Sequence, residues 1–240
     1  MIMAILLSGG TGTRIHSDIP KQYIKVNNRP IITYSIETLS KNDNINGIYI
    51  VASEEWRDNI SSYLKEYDIN HKFIEYVEPG ETRQLSIYNA LLEAGNICRD
   101  NDMVLVHDAA RPMLKPATID ALVEKISSHK GVVPVLPMKD TVYYSDDMET
   151  LSNCLKRQRI FAGQAPELFI YGDYVRANEA LINYNENHEI DIDSPIWGIS
   201  GSSEPAVLAG MDVAMIKGDE GNYKVTTDED LNRLRRILER

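Results

Sequence analysis

Long apolar runs are missing from these 240 residues, which excludes a membrane-spanning helix, since a span needs about 18 or more consecutive apolar residues. Cysteine is scarce as well. Cys98 and Cys154 stand far apart and make no metal or redox motif, so the chain suits a reducing compartment. The five histidines are scattered and include no His-Glu-x-x-His pair, which argues against a zinc enzyme. Positive charge is in deficit: 25 lysines and arginines face 36 aspartates and glutamates, for a net charge of −11. Nonspecific DNA or RNA binding draws its affinity from neutralised phosphates, so no nucleic-acid partner is expected. The chain starts on strand-like residues, MIMAILL, with no basic flank or small-residue cleavage site. A cytoplasmic protein without a membrane segment is the expectation.

What is present is an α/β rhythm. Strand-like runs at 4–7, 47–53, 72–77, 103–108 and 131–137 alternate with helical periodicity at 30–41, 54–67, 82–95 and 115–129. The alternation predicts a Rossmann-like, mostly parallel sheet flanked by helices, with ligands in the crevice at the carboxyl ends of the strands. With 43% hydrophobic and 25% charged residues, a single domain spanning 1–240 can bury a full core. The stretch DTVYYSDDMETLSNCL, residues 140–155, breaks the rhythm. It reads as two short strands around a polar turn at Ser145 to Asp147, a hairpin that cannot bury both faces by itself. Packing against a second copy of the chain, as a homodimer, is the economical solution. The last helix, from Asp228, has Thr227 as its N-cap and acidic residues in its first turn.

The first strand runs into SGGTGTRIHSDIPKQ, where Ser8, Gly9, Gly10 and Gly12 precede Arg14 and Lys21. Glycines free to take positive φ can turn backbone N–H groups toward an anion, and the two cations can pair with a polyphosphate. A glycine-rich turn that merely closes a helix on a sheet is the other reading. Walker A fails, because no Gly-Lys-Ser/Thr follows the glycines; the dinucleotide fingerprint fails, because Ile15 stands where its third glycine belongs. The latter also disfavours a dehydrogenase.

Three further segments carry candidates. In PGETRQLSIYNAL, Gly80, Arg83 and Ser86 sit at a helix start, fit to bind ribose, base or phosphate, or simply to cap the helix. In VLVHDAARP, Asp108 ends a strand at the crevice edge, where it can hold Mg²⁺ or cap a helix, while His107 reads as structural. In GDEGNYKVTTDEDL, Lys224 is expected on a short strand pointing into the same crevice, although a lysine there is commonly solvated surface.

Taken with LPMKDT and KRQRIFAGQAPELF, these segments resemble the cytidylyltransferases that join CTP to a polyol phosphate, over nearly the whole chain. Two branches match: the 2-C-methyl-D-erythritol 4-phosphate and the ribitol-5-phosphate cytidylyltransferases. The resemblance implies small-molecule substrates, CTP and a polyol phosphate, with Mg²⁺. Arg14, Lys21 and Lys224 match cations that hold the triphosphate and its transition state; Leu7 to Gly10 with Gly80 and Ser86 match the cytosine and ribose pocket; and Asp108 matches a carboxylate near ribose and metal. It makes the hairpin at 138–160 a dimerisation arm whose Thr141 and Arg157 bind the acceptor phosphate across the interface. A nucleotide-binding regulatory protein on the same fold would have lost those cations, so an enzyme is expected.

GGTGTR, AGQAPELF and DVAMIKGDEGNYKVTT look like the ribitol branch, and VHDAARP like the methylerythritol branch. Two departures fall on the acceptor side. Ala165-Pro166-Glu167 replaces the family's Thr-Pro-Gln, and Ser200-Gly201 replaces its Thr-Asp after an unusual DIDSPIWG stretch. A carboxylate at Glu167 would repel an anionic acceptor unless paired, or else it points away and caps a helix.

Overall fold

The computed structural model describes residues 1–10, 15–187 and 201–239, without the side chains of 185–187. Along the chain run β1 (Ile2–Leu7), β2 (Lys25–Val26), β3 (Arg29–Pro30), α1 (Ile31–Lys41), β4 (Gly47–Val51), α2 (Glu54–Tyr67), β5 (Phe73–Val77), α3 (Arg83–Ala94), β6 (Met103–Asp108) and α4 (Pro116–Ile126). There follow β7 (Gly131–Pro137), β8 (Val142–Tyr144), β9 (Asn153–Leu155), β10 (Phe161–Gly163), β11 (Glu167–Ile170), α5 (Tyr171–Asn187), α6 (Glu204–Leu208), β12 (Val213–Lys217) and α7 (Asp228–Leu238).

The main sheet has eight strands, in the order β10-β7-β11-β6-β1-β4-β5 with β12 also on β7. The β1–β4, β1–β6, β4–β5 and β7–β12 pairings are parallel, and β11 and β10 enter antiparallel. Strand alternation sends successive side chains to opposite faces. Ala4, Leu6, Ile48, Ile50 and Leu105 therefore pack on one face with Ile36 and Leu39 of α1, Ile60 of α2 and Leu122 of α4. Met3, Ile5, Tyr49, Val104 and Val106 pack on the other with Ile87 and Leu91 of α3 and Tyr174 of α5. Both faces are covered, which is why the central strands are apolar throughout.

A third cluster determines where the cations lie. Ile15, Ile24, Val26 and Ile31 from the N-terminal region pack on Val225, Leu231 and Leu234 near the C-terminus. Burial is worth about 2 kcal/mol for each large aliphatic side chain, so this contact ties the segment bearing Lys21 to the one bearing Lys224. The expected N-cap is present: the Thr227 hydroxyl accepts from the Asp230 N–H at 3.3 Å, and the Asp230 carboxylate accepts from the Thr227 N–H at 3.0 Å.

Two expectations need correction. Lys224 is not on a strand; residues 223–226 belong to no helix or ladder, and the connection is fixed where Val225 N–H donates to the Ala110 carbonyl at 2.8 Å. At Gly9 and Gly10, the described glycines of the turn, positive φ is also not used. Among the described glycines only Gly210 has it, at 71°. Gly9 is needed for closeness instead, since a Cβ there would lie 2.6 Å from the Pro79 Cβ.

The predicted hairpin is present. β8 and β9 pair antiparallel, Val142 opposite Leu155, apart from the main sheet. Its turn is held by Asp147, whose carboxylate accepts from the Glu149 and Thr150 N–H groups at 2.9 and 2.7 Å. Tyr143, Met148 and Leu151 are exposed on it.

Candidate active site

β1, β4, β5 and β6 end together, and the loops leaving them enclose a cleft of about 500 Å³ lined by Leu7, Ser8, Gly9, Gly10, Lys21, Gly80, Arg83, Ser86, Asp108 and Lys224. Separate segments of the sequence thus converge on one volume, of a size that suits a nucleotide. Gly12 and Arg14 lie outside the described residues, as do Ser200 and the stretch 188–198. Thr141 and Arg157 are exposed on the arm. Neither lines this cleft; the Arg157 guanidinium donates to the Lys139 carbonyl at 2.7 Å.

The glycine turn is braced from behind by Gln22, which the sequence motifs did not single out. Gln22 is buried, and its amide donates to the carbonyls of Ser8 at 2.6 Å and Gly10 at 2.9 Å. The Ser8 and Tyr23 hydroxyls share a hydrogen bond of 2.9 Å, and the Tyr23 ring stacks on Trp56 at 4.3 Å. Across the cleft, the Gly80 N–H donates to the Ser86 hydroxyl at 3.0 Å, and that hydroxyl donates to the Thr82 carbonyl at 2.9 Å. Ser86 therefore lines the cleft while its hydroxyl fixes the turn. A Cβ on Gly80 would come within 2.5 Å of the Leu85 Cβ, so that turn tolerates only glycine without rearrangement.

Asp108 lies at the cleft floor, buried, with three cations around it. Arg83 Nη2 is 3.3 Å from Oδ1, while Arg111 Nε and Lys224 Nζ are 3.3 and 3.2 Å from Oδ2. Burial works against its charge, yet the Arg83 guanidinium, the Lys224 ammonium and the Arg111 guanidinium hold its carboxyl well below the usual range. Lys224 is positioned by its neighbours: Asn222 accepts from Arg111 Nη1 through its carbonyl at 2.9 Å and donates from its amide to the Ala165 carbonyl at 2.8 Å. Gln164 closes the preceding turn, donating to the Asp219 carbonyl and accepting from the Asp219 N–H, both at 3.0 Å. The side-chain amides of Gln22, Gln164 and Asn222 carry no charge and bond only to backbone groups here, so nothing in their sequence context marks them.

His107 is structural. It is fully buried, burial pushes its imidazole down to about 4, and Nε2 faces the Arg111 carbonyl at 3.3 Å. A neutral ring donating there holds the turn after β6.

Beyond Asp108 the cleft continues into a smaller cavity of about 300 Å³, which shares Arg83, Asp108 and Lys224 with the first and adds Arg111, Ala165 and Glu167. β11 runs antiparallel to β6, with Glu167 opposite Val106, so the strand's first residue arrives at the crevice edge. Glu167 therefore faces the cavity rather than capping a helix. Burial, with Arg83 opposing and Asp108 reinforcing it, pushes its carboxyl up to about 7.

The match to known proteins runs over the same length as this geometry. The IspD family model, described as 2-C-methyl-D-erythritol 4-phosphate cytidylyltransferase, matches residues 2–240. The chain belongs to this family. A 2-C-methyl-D-erythritol 4-phosphate cytidylyltransferase of Clostridioides difficile is 32% identical over 241 residues, covering 99% of this chain and 94% of that one. A ribitol-5-phosphate cytidylyltransferase of Streptococcus agalactiae is 26% identical over 234 residues, covering 96% and 92%. The fold is that of the 4-diphosphocytidyl-2C-methyl-D-erythritol synthase of Anaerococcus prevotii, with a TM-score of 0.80 at 24% identity over 100% of this chain and 98% of that one. IspD-family relatives thus carry both acceptor names, as the two-branch resemblance implied.

Proposed function

We propose that this single nucleotidyltransferase domain transfers CMP from CTP to a polyol phosphate, releasing pyrophosphate, with ribitol 5-phosphate as the acceptor ahead of methylerythritol 4-phosphate. The observation that carries the reading is the convergence of Lys21, Arg83 and Lys224 on a glycine-walled cleft that opens past Asp108 into a second cavity. Family membership supports CTP as the donor. The spellings GGTGTR, AGQAPELF and NYKVTT favour the ribitol branch.

The chemistry is an in-line attack by a phosphate oxygen of the acceptor on the α-phosphorus of CTP, breaking the bond to pyrophosphate. That nucleophile is already an anion and needs no general base, which agrees with a buried, neutral His107. The task is to bring two anions together and hold the charge that accumulates on the α-phosphate and leaving group. Lys21 and Lys224 supply fixed positive charge where it grows; Arg14, which lies outside the described residues, is the third cation that the family resemblance implies. The residues present fit a nucleotide-borne Mg²⁺. Asp108 lines the cleft and Glu81 stands at its side, and no group of three or more metal-ligating side chains gathers among the described residues. Such an ion typically takes one or two carboxylates, phosphates and water. When bound, it would neutralise phosphate charge.

The arm supports a homodimer. Tyr143, Met148 and Leu151 are 54, 86 and 68% exposed on an isolated two-stranded hairpin, a surface that a second copy would cover. In that arrangement Thr141 and Arg157 reach the partner's acceptor cavity. No helix of the described residues is long and apolar enough to cross a membrane, in keeping with a cytoplasmic enzyme.

The test is pyrophosphate release with Mg²⁺ and each nucleoside triphosphate against a panel of sugar and polyol phosphates. Release is expected with CTP and ribitol 5-phosphate; no release with CTP and any acceptor sinks the assignment.

A further inference from the structure

The second cavity is lined by residues with polar atoms that the described residues leave unsatisfied. Arg83 Nε and Glu167 Oε2, both on cavity-lining residues, are buried with no close hydrogen-bond partner among the described residues, although the Ser202 and Ser203 hydroxyls lie near enough to the Glu167 carboxyl to favour its ionised form. Glu167 is 6% exposed. A buried carboxylate oxygen without a donor costs stability, and such an atom facing a cavity calls for an occupant that supplies one.

The electrostatics specify that occupant. One end of the cavity holds Arg83, Arg111 and Lys224 around Asp108, and it is shared with the nucleotide cleft. An acceptor's phosphate belongs there, beside the α-phosphate. Its carbon chain must then extend along the wall formed by Ala165 and Glu167. Above about pH 7 the Glu167 carboxyl is ionised; an ionised carboxylate only accepts hydrogen bonds, up to about four, and its bonds to hydroxyls are stronger than neutral ones. It repels a second carboxylate.

We propose that Glu167 is a specificity-determining residue that selects the acceptor by accepting hydrogen bonds from hydroxyls on its carbon chain. This rests on the polyol-phosphate reading above and goes beyond it: the acceptor is a phosphate ester with free hydroxyls several carbons from the phosphate, and an aldonic acid phosphate is rejected. Glu167 takes no part in the bond-making step. Its effect therefore falls on acceptor binding and leaves CTP binding alone.

The experiment compares the full-length protein with Glu167→Gln and Glu167→Asp, using CTP with ribitol 5-phosphate, methylerythritol 4-phosphate and a ribitol 5-phosphate lacking the hydroxyl farthest from the phosphate. Glu167→Gln keeps the shape but removes the charge and one acceptor oxygen. Its KM for ribitol 5-phosphate is expected to rise about tenfold, the scale of one charge-assisted hydrogen bond, with the CTP KM within twofold. Glu167→Asp, which retracts the charge by one methylene, is expected to raise the same KM and serves if the glutamine variant does not fold. The deoxy acceptor should lose affinity for the unaltered protein and show a smaller difference between protein and variant. Turnover with an unchanged acceptor KM in the variants, or equal shifts in both KM values, overturns the proposal alone. No turnover by the unaltered protein with either natural acceptor overturns the function reading as well.

Discussion

The two ends of the crevice are built differently. On the nucleotide side the polar groups of the turns are paired within the chain: Gln22 holds the Ser8 and Gly10 carbonyls, Ser86 holds Gly80, and the Thr82 hydroxyl accepts from the Leu85 N–H. On the acceptor side Arg83 Nε and Glu167 Oε2 have no close hydrogen-bond partner among the described residues. A preorganised wall needs no rearrangement when charge develops, whereas an unsatisfied wall is completed by what binds to it. The nucleotide end is thus the fixed part of the design and the acceptor end the selective part.

Breaking the fixed end should have the largest effect. Lys21→Ala or Lys224→Ala is expected to lower kcat by a factor of about 10² to 10³, while CTP KM changes far less; near-normal turnover in Lys21→Ala removes that lysine from the mechanism. Asp108→Asn leaves three cations without their shared counter-charge and is expected to cost about 3 kcal/mol of stability, measured by urea unfolding.

Acid titration contrasts the two ends directly. Asp108, held below the usual carboxylate range, stabilises the fold above its unfolded pKa of about 3.9, and that stability is lost as pH falls. Glu167 has the opposite sign. Its carboxyl rises from 4.5 to about 7 in the fold, so between those values the native state holds a proton that the unfolded chain has lost, and stability falls as pH rises, by up to about 3 kcal/mol. Glu167→Gln should remove that downward slope and raise the midpoint of unfolding near neutral pH. An unchanged pH dependence contradicts the assignment.

Smaller effects test the arm and the brace. Tyr143→Glu with Leu151→Glu is expected to weaken self-association by about tenfold or more, the scale of losing an interface anchor, with sedimentation as the readout. A monomeric unaltered protein removes the dimer from the account. Gln22→Ala, which frees two backbone carbonyls, should cost about 1 kcal/mol, read as a several-fold rise in CTP KM with acceptor KM nearly constant.

The fixed end was also the legible end. Apolar strands feeding glycine turns and charged residues are local patterns, and β1, β6 and α3 appear where the periodicity placed them. The hairpin was readable because alternation without a helix leaves few alternatives. Lys224 was placed on a strand between a glycine turn and the last helix, yet residues 223–226 join no ladder and are fixed instead by a backbone bond from Val225 to Ala110, a long-range contact that no local pattern encodes. Gly9 was assigned to a turn by conformational freedom, whereas what demands glycine is Pro79 from another loop, a contact no local pattern encodes. Glu167 stood out as a departure from Thr-Pro-Gln, but its direction depended on β11 entering antiparallel, which four residues of sequence do not reveal.

The central claim is that the acceptor's phosphate attacks the α-phosphorus of CTP from the second cavity. Ribitol 5-phosphate carrying ¹⁸O in its phosphate, incubated with CTP, Mg²⁺ and the protein, tests it directly by mass spectrometry of the products. The account requires all of the label in the CDP-polyol and none in pyrophosphate. Label in pyrophosphate, or CTP consumed without a labelled CDP-polyol, contradicts it.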